Sequence, residues 1–184
     1  MGKNHGEKIS VREGDGTWHR CRYTRAMGAE FILVDSEVVR PLRGEVLRPG
    51  QELSESIYPQ DDDPSTTHFA MKEDEEIIGV VSLLPEIRSG GMERWRVRGM
   101  AVRPDRQREG LGSILMRGVQ AIAQKRGGGM WMNVRTTAES FYSGHGCQVE
   151  GEPFEGDLIG SLGSHILMVW WPDGEKPASP DAES

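Results

Sequence analysis

Residues 98–113 read Arg98-Gly99-Met100-Ala101-Val102-Arg103-Pro104-Asp105-Arg106-Gln107-Arg108-Glu109-Gly110-Leu111-Gly112-Ser113, and this stretch decides the fold. It runs from an apolar strand pattern through a proline-containing turn into a helix. From Gly110 onward Leu111, Ile114, Leu115, Val119 and Ile122 recur at three and four residues, the spacing of an amphipathic helix. Gly127-Gly128-Gly129 ends it. A helix N-terminus offers unpaired amides and a partial positive charge, which together make an anion site. Gly110 and Gly112 allow backbone to approach a phosphate because no Cβ intervenes. Arg94, Arg96, Arg98, Arg103, Arg106 and Arg108 crowd into the same region of a chain whose net charge is −7. That local excess predicts a local anion.

Strand and helix patterns alternate on either side. A strand over Arg94 to Val102 places Trp95 and Val97 on one face and Arg94, Arg96 and Arg98 on the other, with a solvated strand face expected for the arginines. Phe31–Val34 reads as a strand, and residues 37–47 as a helix stopped by Pro49-Gly50, with Pro41 and Gly44 inside it. Leu53 to Thr67 has no clear period and reads as loop, its Asp61–Asp63 run as solvated charge. His68–Met71 and Ile77–Leu84 flank the polar segment Lys72–Glu76, a hairpin signature. Met130–Val134 is a buried-type strand, followed by a short helix at about 137–144 and strands near Cys147–Glu150 and Ile166–Trp171. The expected fold class is α/β, as a mixed sheet flanked by helices, within one domain over residues 29–171. Residues 1–28 form a polar extension in which Trp18 and Tyr23 leave room for a strand or a docking contact. Residues 172–184 have no apolar side chain larger than Ala apart from prolines, and read as a disordered tail.

Composition narrows the class. The chain has 184 residues, a length for one substantial core, and its acidic balance argues against a nucleic-acid or membrane-surface binder. Cys21 and Cys147 cannot build a disulfide framework or, without a His/Cys cluster, a zinc site, so no metal is expected. No apolar run reaches the about 20 residues needed to span a bilayer. The start of the chain lacks a secretory apolar core, and Gly6 stands where a myristoylation motif needs Ser or Thr. The expectation is a cytoplasmic, soluble protein.

Two familiar phosphate loops fail. No Gly-Lys-Ser/Thr follows the glycines, and Leu115 stands where the dinucleotide fingerprint needs its third glycine. The run Gln107-Arg108-Glu109-Gly110-Leu111-Gly112 instead fits Gln/Arg-x-x-Gly-x-Gly/Ala and resembles the acetyl-coenzyme A pyrophosphate loop of the GNAT N-acetyltransferase superfamily. Asn133 to Cys147, in which Asn133 ends a strand and Phe141-Tyr142 lie on a short helix, is similar to the superfamily's second signature. Leu47–Gly50, Asp61–Pro64 with Thr67-His68, Gly151–Phe154 and His165 resemble a bacterial subgroup. The likeness covers about residues 30–171, and one departure is Cys147 where Phe is usual, a change of packing only.

The resemblance implies an acyl-CoA N-acyltransferase fold, mostly antiparallel with one splayed parallel pair. It also implies transfer of an acetyl group from acetyl-CoA to an amine of a small molecule or peptide by direct attack in a ternary complex. The cosubstrate residues it implies are Met100, Ala101 and Val102 for the thioester, Gln107, Arg108, Glu109, Gly110, Leu111, Gly112 and Ser113 for the pyrophosphate, and Asn133 and Phe141 for the pantetheine arm. Tyr142 takes the place of the general acid for the leaving thiolate, against the alternative of a half-buried aromatic with a wet hydroxyl. The base is not identifiable: His165 is a weak candidate and His68 another, and for either a structural hydrogen-bonder is the favoured reading. Arg98 could clamp an acceptor carboxylate. Competing readings are a non-catalytic sensor binding coenzyme A or a nucleotide, and an interaction protein whose arginines meet acidic partners. Monomer and homodimer are both open.

Overall fold

The computed structural model describes residues 23–26, 28–156 and 163–174. Most of the expected N-terminal extension, Cys21, residues 157–162 and the tail beyond 174 lie outside the described residues.

The chain begins with β1 (Tyr23–Ala26) and β2 (Ala29–Val34), followed by α1 (Ser36–Leu47). Pro41 does not break α1, although it removes one backbone donor in the second turn. Burial of Val39 and Leu42 on that helix outweighs the loss. A 3-10 turn at Leu53–Ser56 interrupts the expected loop before β3 (Thr67–Glu73) and β4 (Glu76–Pro85), which form the expected hairpin. Then come β5 (Trp95–Val102), α2 (Leu111–Arg126) and β6 (Met130–Arg135). The short helix splits into a 3-10 turn at Thr136–Ala138 and α3 (Glu139–Ser143). β7 is only Gln148–Val149, and β8 (Phe154–Glu155), which no sequence pattern announces, precedes β9 (Ser164–Trp170).

The strands make one sheet in the order β1-β2-β3-β4-β5-β6-β9-β7, with β8 also pairing β9. Every neighbour is antiparallel except β5 and β6, which run parallel. Both faces are covered. On one, Val39 and Leu42 of α1 pack on Ala70, Val80 and Ala101. On the other, Leu111, Leu115, Met116, Val119 and Ile122 of α2 meet Phe31, Met71, Val81, Val97 and Met132. Leu115 is fully buried, which contributes about 2 kcal/mol relative to exposure. Two-sided cover explains why β4 reads as an unbroken apolar run and not an alternation.

The parallel pair sets up the site. β5 and β6 are hydrogen-bonded only where Trp95 meets Met130 and Arg96 meets Trp131. Beyond those residues the two strands part, and a cavity of about 290 Å³ opens between Val97–Met100 on one arm and Met132–Arg135 on the other.

Candidate active site

The turn into α2 has the geometry of an anion cradle. Arg108 has φ +65° and Gly110 φ +83°, and a Cβ on Gly110 would meet nothing within 4 Å. A non-glycine residue held left-handed costs about 1–2 kcal/mol, and such strain concentrates at functional turns. No side chain caps α2, and its first turn holds no acidic residue. Gln107 Nε2 donates to Val102 O at 3.1 Å, which ties the turn back to the end of β5.

The arginine cluster does not carry the meaning its sequence suggests. Arg103 donates to Asp105 at 2.7 Å and to Glu76 at 2.6 Å, while Arg106 bonds Glu109 at 2.8 Å and also Glu73. Arg96 pairs with Glu86. The β3–β4 hairpin end brings Glu73 and Glu76 beside the turn, so these arginines are neutralised internally and are not a counterpart to a ligand. Among the described residues Arg108 has no ion-pair partner.

Where β5 bends toward the fork, its pairing with β4 slips between Val80 and Ser82. Gly99 lies at this bulge with φ +62°, and a Cβ there would stand 2.7 Å from Arg43 Nε. A bulge re-aims the backbone of the strand that carries it. Of the three residues expected at the thioester, Met100 lines the cavity; Ala101 and Val102 pair with Val80 and Gly79 and are not part of its wall.

Across the fork, β6 contributes Asn133, and α3 contributes Tyr142, nine-tenths buried in the cavity wall. Burial drives the Tyr142 phenol far above its ordinary pKa, with Cys147 adding to the effect, so the hydroxyl keeps its proton throughout the neutral range. Phe141 stands edge-on to Tyr142, with ring centroids 5.0 Å apart, and its Cζ would lie 3.3 Å from a Cβ on Gly112. One aromatic ring therefore joins α3 to the first turn of α2.

His165 also lines the cavity, opposite Arg135 in the β6–β9 register. Its Nδ1 donates to Gly163 O at 2.8 Å, since a carbonyl can only accept, and its ring stacks on Phe154. His68 differs. Its Nε2 donates to Asp61 O and its Nδ1 accepts from Ser82 Oγ, both at 2.8 Å, and burial lowers its pKa and keeps the ring neutral. Both ring nitrogens are committed, so His68 is structural.

Sequence reasoning missed the cluster around Asp61. Asp61 is not solvated charge: its side chain is fully buried and accepts from Arg43 Nη1 at 2.6 Å, from Tyr58 N at 2.9 Å and from Arg98 Nη2 at 3.3 Å. Arg98, expected on a wet strand face, is buried over Tyr58 and donates to Pro59 O at 2.5 Å. The signal was available in α1, where Arg43 follows Val39 and Leu42 on the buried face; an arginine there demands a carboxylate. Among the described residues no group of three or more His, Cys, Asp or Glu side chains could hold a metal ion.

Comparison with known proteins agrees with this geometry. The profile of the acetyltransferase (GNAT) family matches residues 36–147. The uncharacterized N-acetyltransferase YitI of Bacillus subtilis (strain 168) is 28% identical over 142 residues, spanning 76% of this chain and 93% of that protein. In structure, an acyl-CoA N-acyltransferase from Pseudomonas aeruginosa superposes with a TM-score of 0.59 at 16% identity, covering 78% of this chain and 99% of the other. An aminoglycoside 6'-N-acetyltransferase complexed with coenzyme A gives 0.55 at 15%, covering 76% and 94%. Identities this low speak for the fold alone, but the family profile spans more than half the chain. An open sheet with one splayed parallel pair, an uncapped helix beside the fork and the matched family profile lead to one conclusion: this chain belongs to the acetyltransferase (GNAT) family.

Proposed function

We propose that this chain transfers an acetyl group from acetyl-CoA to an amine, releasing coenzyme A as the free thiol, with no covalent enzyme intermediate. The observation that carries the reading is the continuity of three features: the uncapped start of α2, the opened β5–β6 fork, and a buried, protonated Tyr142 in the wall of the fork.

The amides from Arg108 to Ser113 hold the pyrophosphate, and the strained turn pre-organises them. Asn133 at the open end of β6 bonds the pantetheine arm, and Phe141 walls it. Main-chain amide at the Gly99–Met100 bulge faces the thioester oxygen, where negative charge develops on attack. The amine nitrogen attacks the carbonyl carbon, forming the C–N bond as the C–S bond breaks. Tyr142 gives its proton to the departing thiolate. The proton lost by the amine goes to water or to His165, which lines the cavity.

Thiol release and thermal stability test this together. Saturating acetyl-CoA raises the melting temperature by mass action, and Tyr142→Phe abolishes most thiol release while keeping that rise. A variant with unchanged turnover across pH removes Tyr142 from the mechanism.

A further inference from the structure

Arg43 of α1 is fully buried, and it meets the fork from behind at the point where β5 changes direction. In the β4–β5 pairing Val80 meets Ala101 and Ser82 meets Arg98, so Gly99 and Met100 together oppose Val81. That is a bulge of one extra residue, and both Gly99 and Met100 line the cavity. Arg43 straddles it. Its Nη2 donates to Ser82 Oγ on β4 at 3.0 Å. Its Nε occupies the space that a side chain on Gly99 needs, 2.7 Å from where that Cβ would stand.

The far side of the same guanidinium is anchored too. Nη1 donates to Asp61 Oδ2 at 2.6 Å and to Ser56 O at 3.0 Å, and Tyr58 N donates to the same Asp61 oxygen at 2.9 Å. The Arg43 Cζ lies 4.4 Å from the centre of the Tyr58 ring, which is itself part of the cavity wall. Residues 56–61, β4 and the bulge of β5 therefore take their mutual positions from one planar group. Packing α1 on the sheet does not call for that group, because Val39 and Leu42 already do so. The arrangement also has a cost: the Arg43 Nε is buried with no hydrogen-bond partner among the described residues.

We propose that Arg43 is a positioning residue for the acetyl transfer: by filling the space beside Gly99 while holding Ser82, it fixes the bulge with its main-chain amide toward the thioester oxygen. This rests on the transferase reading above. Arg43 touches neither substrate and acts through the backbone of β5. A hydrogen bond to the thioester oxygen weakens the C=O bond, and a donor turned off the line of that bond loses most of the interaction.

The test uses the full chain and acetyl-CoA isotope-labelled at the acetyl carbonyl carbon, so it needs no acceptor. Infrared difference spectra of the native complex show the carbonyl stretch below its frequency in free acetyl-CoA. Arg43→Lys keeps a cation beside Asp61 but has one nitrogen where Arg43 uses two. The expected result is loss of most of that downshift, while acetyl-CoA still raises the melting temperature. With any amine the native protein acetylates, Arg43→Lys lowers kcat about tenfold to a hundredfold and leaves KM for acetyl-CoA within about twofold. Ile122→Ala, a core loss in α2, lowers the melting temperature yet keeps the native carbonyl frequency, which separates positioning from stability. Ser82→Ala removes the acceptor of Nη2, leaves the Asp61 pair in place and loses part of the downshift; it carries the test should Arg43→Lys not fold. A native downshift that survives unchanged in these Arg43 and Ser82 variants overturns the proposal and leaves the transferase intact. A native complex without any downshift overturns it as well. Absence of thermal stabilisation of the native protein by acetyl-CoA defeats the transferase reading itself.

Discussion

Gly112 in the first turn of α2 lies directly against Phe141 of α3, so that a Cβ there would come within 3.3 Å of Cζ and 3.4 Å of Cε2. The missing side chain lets the first turn of α2 set the position of the helix that carries Tyr142.

Gly112→Leu pushes Phe141 aside and moves Tyr142 with it. The expected outcome is a fall in kcat/KM of about a hundredfold, the scale of an ångström-sized misplacement of catalytic groups. Steady-state kinetics check this, and a variant with native kcat/KM shows that the two helices are not coupled through this contact.

With Tyr142 as the proposed proton donor, Tyr142→Phe lowers kcat by about a hundredfold or more and leaves KM for acetyl-CoA unchanged. Stability follows a separate rule. The folded phenol titrates above its unfolded value of 10.0, so the stability it contributes is complete below pH 10.0 and is lost as pH rises beyond it. Melting curves between pH 9 and about 11 show a decline that Tyr142→Phe flattens.

Asp61→Asn leaves Arg43 buried with its charge partner removed and costs about 3–5 kcal/mol. Its neighbour Asp62 is exposed, bonded to Ser36 and Arg40 at the surface, and Asp62→Asn leaves the urea midpoint in place. Equal behaviour of the two variants contradicts the buried cluster.

His68 is depressed below its ordinary pKa of 6.5 by burial, so its contribution to stability is complete above pH 6.5 and is lost as pH falls below it. Unfolding in urea at pH 7.5 and about 5.5 measures the slope, and His68→Gln makes it shallower. An unchanged slope places the titration elsewhere.

Local pattern was enough for the elements that bury a continuous face. The three- and four-residue spacing after Gly110 became α2, the polar break at Lys72–Glu76 became the turn of the β3–β4 hairpin, and the turn between β5 and α2 stands where the glycines put it. β8 was not legible because Phe154–Glu155 is two residues whose pairing depends on β9 being beside them. His68 and His165 looked alike in sequence, each opening a strand; tertiary structure buries His68 between Asp61 and Ser82 and sets His165 in the cavity wall.

The order of residues by itself determined the α/β class, the strand–turn–helix and the presence of Tyr142 after Asn133, because these depend on spacing along one chain. Tertiary structure alone decided which charges are spent and which are left. The hairpin supplies Glu73 and Glu76 to the arginines of the turn, Asp61 sinks beneath Arg43 and Arg98, and Arg135 lines the cavity bonded to Leu47 O, with no ion pair among the described residues. Ion pairing falls off over a few ångströms in space, and that distance is set by packing between segments far apart in sequence.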